Sequence, residues 1–135
     1  MDGSSPEPRS PFDVLLGTEW VSDDPDDARV RLAVRDELSQ PTGLVHGGVL
    51  STLVESICSR ATYLAVAEAG NIAMGQSHSI SFMRPVTEGS IEVKARARHR
   101  GRTTWVWDAE VLDSAGRLCA IAQFNVAVRP MPQRG

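Results

Sequence analysis

His46-Gly47-Gly48, then Val49-Leu-Ser-Thr-Leu-Val-Glu55-Ser-Ile-Cys-Ser-Arg60-Ala-Thr-Tyr-Leu-Ala-Val-Ala-Glu68, then Gly70-Asn71, is the stretch that decides how this chain is read. Leu50, Leu53, Val54, Ile57, Ala61, Leu64 and Ala65 recur at i, i+3 and i+4, the spacing of one helical face. A helix is therefore expected from Val49 to about Glu68, with Gly70-Asn71 ending it. At 1.5 Å per residue it is about 30 Å long, enough to cross a small sheet from end to end. Glu55, Arg60 and Glu68 interrupt its apolar character, which makes it a poor transmembrane span.

Outward from the helix the pattern changes to strands. Ile72–Arg84, Ser90–Arg100, Thr103–Asp113 and Arg117–Arg129 are strand-like runs, separated by Pro85–Gly89, Gly101-Arg102 and Asp113–Gly116. These linkers are turn material of hairpin length, so the runs are expected to form an antiparallel meander. Upstream, Ala28–Leu38 alternates, with Val30, Leu32 and Val34 on one side and mostly arginines on the other, as in a half-buried strand. Thr18–Ser22 reads as a brief strand and Pro11–Gly17 as a short helix ended by its glycine. Ser39 to Gly48, with Pro41, Gly43, Gly47 and Gly48, reads as a loop. One long central helix against five or six antiparallel strands gives a single α+β domain. Residues 1–11, rich in Ser and Pro, read as a loose tail, residues 12–130 as the domain, and residues 131–135 as a second loose tail.

With 135 residues there is room for one core and little to spare for a large internal pocket. A site shared between subunits would solve that. The net charge of −3 gives no general reason to expect nucleic acid. Cys58 and Cys119 lie in apolar segments without CxxC spacing, which fits buried thiols in a reducing compartment. The first residues show neither a basic n-region followed by an apolar run nor the character of a transit peptide, so a soluble cytoplasmic protein is expected.

The chemistry points to the entry of the long helix. The first N–H groups of a helix have no intrahelical partner, and beside Gly47-Gly48 no side chain obstructs a ligand, which makes a ready oxyanion hole. Such a donor contributes about 3 kcal/mol in acyl-transfer enzymes. Ser51, Glu55, Ser59 and Thr62 form a second stripe of the helix, small and polar where a surface helix would carry long charged side chains. That stripe is therefore expected to be covered, with Glu55 a confined carboxylate suited to nucleophilic or general-base work. Taken separately, the Gly-Gly pair is a tight turn and Glu55 an ordinary surface residue; their spacing, with five strands around one helix, favours the site. Elsewhere, Lys94, Arg96, Arg98 and Arg100 make a basic stripe on one strand face, read chiefly as a solvated surface. Trp105 and Trp107 share a face, as core or subunit-contact aromatics do. His46, His78 and His99 are too dispersed for a metal site, and no GxSxG elbow appears.

The segment HGGVLSTLVESICSRATY, followed in order by GQSHSISFMRPVTEG, GRTTWVWDAEV and DSAGRLCAIAQFNVAVRP, resembles the hotdog-fold acyl-CoA thioesterases, in particular the Glu-dependent 4-hydroxybenzoyl-CoA thioesterases and their phenylacetate-pathway (PaaI-like) relatives. The resemblance spans roughly Gly17 to Pro130. It implies the hotdog fold and hydrolysis of a small aromatic acyl-CoA, with no cofactor beyond the CoA carried by the substrate. By position it implies that Gln40 and His46 line the reaction centre, that the Gly47 N–H polarises the thioester carbonyl, and that Glu55 attacks that carbonyl or activates water. Ser59 falls where the family has a threonine that assists hydrolysis; the hydroxyl is kept. Arg84, Arg102 and Thr103 fall where CoA phosphates and pantetheine are met, although Arg102 stands in place of a small hydroxyl residue. Met-Pro-Gln follows Arg129-Pro130 where a basic run is usual, leaving Arg134 as a partial replacement. The resemblance further implies a homodimer with Gln40, His46 and Gly47 of one subunit facing Glu55 of the other, two dimers forming a tetramer. Two other readings remain open: a hotdog dehydratase, whose His-Phe-Pro-Gly loop is absent, and a non-catalytic acyl-CoA-binding protein, which would not need Glu55.

Overall fold

The long helix, α2, forms over Gly47–Val66 in the computed structural model, which describes residues 10–132. Leu50, Leu53, Val54, Ile57, Cys58 and Ala61 are buried along its apolar face. A short 3-10 segment, Ala67–Ala69, and Gly70 in the left-handed region (φ 85) then end it and reverse the chain. Before it come α1 (Pro11–Leu16), β1 (Glu19–Ser22) and β2 (Ala28–Ala33); after it come β3 (Asn71–Phe82), β4 (Ser90–Arg100), β5 (Thr104–Leu112) and β6 (Leu118–Pro130). The strands make one six-stranded antiparallel sheet in the order β1-β2-β4-β5-β6-β3. α2 packs on one face of it, against rows such as Ile91, Val93 and Ala95 of β4 and Trp107, Ala109 and Val111 of β5. Among the described residues no helix is long and apolar enough to cross a membrane.

The four-strand meander expected from the linkers is corrected here. β4, β5 and β6 do form a meander, but β3 pairs with β6 at the far edge, and β4 pairs with β2. Pro85–Gly89 is therefore a crossing, not a hairpin turn. Val86 is buried within it, its carbonyl accepts from Val45 N–H at 2.8 Å, and the Gly89 carbonyl accepts from Val34 N–H at 2.9 Å. These bonds draw the linker away from β3 towards β2. The alternation read through Leu38 is strand only to Ala33. Arg35 turns back to donate to the Leu16 and Leu15 carbonyls of α1, and Asp36–Leu38 winds into a 3-10 turn. Pro11 is the first residue of α1, as expected for the short helix, and Ser10, read as tail, caps it, its hydroxyl accepting from Asp13 N–H. The rest of the N-terminal tail, and Arg134, lie outside the described residues.

The helix face also differs from expectation. Leu64 is half-buried and Ala65 exposed, whereas Thr62, assigned to the polar stripe, is fully buried. Its hydroxyl donates to the Cys58 carbonyl at 2.7 Å and accepts from the Trp107 indole N–H at 2.9 Å. Both partners of this helix-to-sheet contact are thereby satisfied, which lets a hydroxyl sit in the core. Thr62→Val keeps the shape and removes the acceptor, leaving a buried indole donor unpaired. We expect a loss of about 1–3 kcal/mol, read as a lower urea midpoint with an unchanged m-value.

Candidate active site

His46 caps α2. Its backbone is extended (φ −62, ψ 132) and its Nδ1 accepts from the Gly48 N–H at 2.9 Å. The Val49 N–H goes to the His46 carbonyl. That leaves the Gly47 N–H, at the first helical position, with no acceptor among the described residues. A Cβ on Gly47 would stand 3.0 Å from the Phe82 ring, so the glycine lets β3 close over the helix entry. Gln40 lies on the preceding turn, its N–H donating to the Leu44 carbonyl. Gln40, Gly47, Phe82 and Arg84 line one cavity of about 370 Å³.

Glu55 lies two turns along α2 and is exposed. The expected confinement of its stripe does not hold within one chain: only Thr62 is fully covered, and it faces the core. Glu55 and Ser59 line a separate groove of about 510 Å³ between α2 and the α1–β1 segment, where Phe12, Asp13, Trp20, Arg60 and Tyr63 form the other walls. On its far side Glu55 meets β3. A Cβ on Gly75 would lie 3.1 Å from Glu55 Oε2 and 2.8 Å from the Phe124 ring, so only glycine lets the strand pass the carboxylate at this distance. His78 lines the same small cavity and stands edge-on to Phe124, with ring centroids 5.1 Å apart. A β-bulge between Gly75 and Ser77 precedes it, the kind of irregularity that re-aims a side chain.

The predicted residues thus fall into three groups in one chain. Gly47 and Glu55 are about 12 Å apart along the helix axis at 1.5 Å per residue. Reacting atoms need to approach to about 3–3.5 Å, so one chain does not bring this donor and this carboxylate to one carbonyl. Arg102 and Thr103 lie at the β4–β5 turn, where the Thr103 carbonyl accepts from Val128 N–H and Arg129 Nη1. Arg129 is paired with Ile72 at the start of β3, and Arg84 lies beyond the end of that strand. Along β6 from Arg129 to Cys119, whose carbonyl accepts from the Arg84 N–H, ten residues at about 3.3 Å each put the two sets of cations about 33 Å apart. The basic stripe is a partly neutralised surface: Arg98 pairs with Asp108 at 3.1 Å and Arg100 with Asp26. Trp105 and Trp107 are buried in the core.

Sequence reasoning missed Gly75, His78 and the α1–β1 wall of the groove. A glycine in mid-strand was the available signal for the first; the others depend on packing. Among the described residues no cluster suited to a metal ion is present. Both cysteines are buried and free, and burial pushes the Cys58 thiol up, away from nucleophilic use.

With this geometry in view, the likeness to known proteins is specific. The thioesterase superfamily model matches residues 42–120. A Mycobacterium tuberculosis protein named as an esterase is 36% identical over 126 residues, covering 89% of each chain. Its structure superposes with a TM-score of 0.86 at 33% identity, covering 92% of this chain and 100% of that one. A mutant thioesterase structure from Pseudomonas aeruginosa gives 0.84 at 32% identity, over 89% and 86%. The proofreading thioesterase EntH of Cronobacter turicensis is 31% identical over 113 residues, 84% of this chain and 82% of that protein. The chain belongs to the thioesterase superfamily and has its hotdog fold. It is accordingly a hydrolase of the thioesterase class.

Desolvation holds the pKa of His78 below the usual histidine value, against the opposing pull of the Glu55 carboxylate. A histidine depressed on folding binds protons more readily in the unfolded chain. Its contribution to stability is full above about pH 6.5 and is lost as pH falls through the folded value. His78→Leu is therefore expected to lose less stability than wild type between about pH 7.5 and pH 5, compared by urea unfolding; equal losses would contradict this assignment.

Proposed function

We propose that the protein hydrolyses the thioester of a small aromatic acyl-CoA, hydroxybenzoyl- or phenylacetyl-like, to the free acid and CoA. The observation that carries this reading is the unclaimed Gly47 N–H at the mouth of α2, set off from the exposed Glu55 carboxylate by two helical turns. A donor so placed is suited to an oxyanion, and the carboxylate to attack on the carbonyl or to activation of water. The CoA thiolate leaves. The His46 ring helps by taking the neighbouring Gly48 N–H, which leaves Gly47 as the donor presented at the helix end.

The acyl group occupies the groove beside Glu55. Phe12, Trp20 and the only tyrosine, Tyr63, line it, which favours an aryl group. Ser59 lies in the same groove, one turn beyond Glu55, where its hydroxyl orders the hydrolytic water.

The separation of Gly47 from Glu55 favours a site shared by two subunits, with Gln40, His46 and Gly47 from one facing Glu55 and Ser59 from the other. β3 offers the means. It is a twelve-residue strand at the edge of the sheet, and a long edge is normally paired or protected. Pairing two copies of β3 antiparallel brings the Arg84 end of one chain towards the Arg102-Thr103 end of the other, so the CoA phosphates and pantetheine meet both sets. Two such dimers form a tetramer on this reading, in the reducing cytoplasm that suits free Cys58 and Cys119.

Thiol release from benzoyl-, 4-hydroxybenzoyl-, phenylacetyl- and hexanoyl-CoA tests the reading. Glu55→Ala and Glu55→Gln are each expected to lose about 100-fold or more in kcat. Binding without thiol release in the wild type would instead favour a non-catalytic acyl-CoA-binding protein. Gly47→Pro deletes the N–H at a position where proline suits the helix and the extended His46 before it, and because the added ring would press on Phe82 it is made in a Phe82→Ala background; kcat is expected to fall by about 100- to 1000-fold relative to Phe82→Ala alone. Co-assembled Glu55→Ala and Gly47→Pro chains, both carrying Phe82→Ala, should recover about a quarter of the activity of Phe82→Ala alone, because random pairing in a two-fold dimer restores one intact site in each mixed pair. No recovery from mixed dimers would place the site within one chain.

A further inference from the structure

Glu55 meets a second titratable group on the β3 side. Gly75 and Phe82 both face α2 although they are seven residues apart, because the bulge between Gly75 and Ser77 takes up the odd residue. His78, four residues before Phe82, therefore faces α2 as well. It lines the cavity of about 290 Å³ that Glu55 shares with Gly75 and Phe124. Phe124, its cross-strand partner on β6, meets the imidazole edge-on. Neither ring nitrogen has a hydrogen-bond partner among the described residues, and Nε2 is buried. A histidine kept for packing normally gives at least one nitrogen to a neighbour. Burial also favours the neutral ring, which leaves one nitrogen lone pair free.

The chemistry at Glu55 calls for such a group. When the carboxylate attacks the thioester carbonyl, it is tied up in the mixed anhydride that results and cannot be the base that hydrolyses it. The Ser59 hydroxyl orients the water but does not keep its proton. Of the other titratable side chains in the two cavities that Glu55 lines, Arg60 has no lone pair to offer, and the phenol of Tyr63 is a very weak base. Asp13 is engaged by the Ser10 and Ser56 hydroxyls. His78 is the base left over.

We infer that His78 is a further catalytic residue, which takes up the proton of the hydrolytic water and so frees Glu55 from its acyl intermediate. Hydrolysis then runs in two steps. In the first, Glu55 Oε2, the oxygen turned towards Gly75, bonds to the acyl carbon, the C–S bond breaks, and CoA leaves with the electron pair as the thiolate. In the second, the water oxygen bonds to the acyl carbon and a water proton passes to an imidazole nitrogen of His78. The bond from the acyl carbon to Glu55 breaks, its electron pair returning to the carboxylate. The released acid and the imidazolium give their protons to solvent, a return that burial of the ring promotes. The cavity has room for the water, whose share of liquid volume is about 30 Å³, and such a base acts directly or through one further water. This rests on the reading of Glu55 above and commits it to the nucleophilic route.

The test is a rapid-mixing experiment on the full chain, with released thiol trapped by a disulfide reagent so that the first step cannot reverse, and a substrate-free blank subtracted. It uses whichever of the benzoyl, 4-hydroxybenzoyl, phenylacetyl and hexanoyl thioesters the wild type hydrolyses fastest. His78→Gln keeps a polar side chain of similar reach and removes the base. It is expected to release about one CoA per site in a burst and then to turn over about 100-fold or more slowly than wild type. Damage to folding lowers the burst and the steady rate together, so the ratio of the two separates a catalytic role from a structural one. A His78→Gln steady rate within about 3-fold of wild type overturns the inference. So does slow turnover without a burst, which leaves Glu55 as a general base. Absence of thiol release from every one of these thioesters by the wild type overturns the reading of Glu55, and this inference with it.

Discussion

The length of α2 is the constraint from which the rest of the arrangement follows. A twenty-residue helix with a continuous apolar face must be covered along about 30 Å. A short hairpin cannot do that. The chain instead reverses at Gly70 and runs β3 back along the helix, with β6 paired beside it over nearly its full length. This antiparallel return sets the contacts at the site. It carries Gly75 past Glu55 in the middle of the helix and brings Phe82 onto Gly47 at its start. Both glycines are required by the same close approach of strand to helix, at two levels of one contact.

Much of this was legible in the sequence because it depends on local periodicity. The apolar spacing from Leu50 to Ala61, the Gly70 stop, the alternation in β4 and β5 and the Gly47 entry all rest on neighbours in the chain. What was not legible depends on partners distant in sequence. Thr62 looked like a member of a polar stripe because its hydroxyl is polar, yet Trp107, reached only through the sheet, gives that hydroxyl a buried partner. Pro85–Gly89 looked like a hairpin turn because of its length and composition. Its path is decided instead by Val45 and Val34, whose N–H groups take its carbonyls. The groove walls were equally hidden, since nothing in α1 or β1 announces that Phe12 and Trp20 end beside Glu55.

The candidate residues were chosen from the sequence, but how the fold distributes them was not legible there. Gln40, Gly47 and Arg84 meet at one cavity, Glu55 and Ser59 at another, and Arg102 and Thr103 at the far end of the sheet. Sequence proximity suggests a compact constellation, because His46, Gly47 and Glu55 fall within one short segment. A helix turns that proximity into distance: about 1.5 Å of rise per residue separates the donor at its first position from the carboxylate two turns on. Residues that read as one motif therefore serve either two different sites or one site completed by a second copy.

The second alternative also accounts for the uneven covering of α2. The helix has one face packed on the sheet and another, through Ser51, Glu55 and Ser59, on which Glu55 is flanked by small hydroxyl residues in place of the further long charged side chains by which exposed helices keep their solubility. Small hydroxyl residues leave room for a neighbour to approach. Where a second chain lies over this face, the water around Glu55 is displaced and a preorganised N–H is brought against a substrate carbonyl in a less polar surrounding, where such a donor acts most strongly. His78 adds to that surrounding without adding charge, because its burial disfavours the imidazolium. On this view the carboxylate is left uncovered by its own chain so that substrate and partner can enclose it together, and the exposure of Glu55 in the single chain is the counterpart of a site assembled from two.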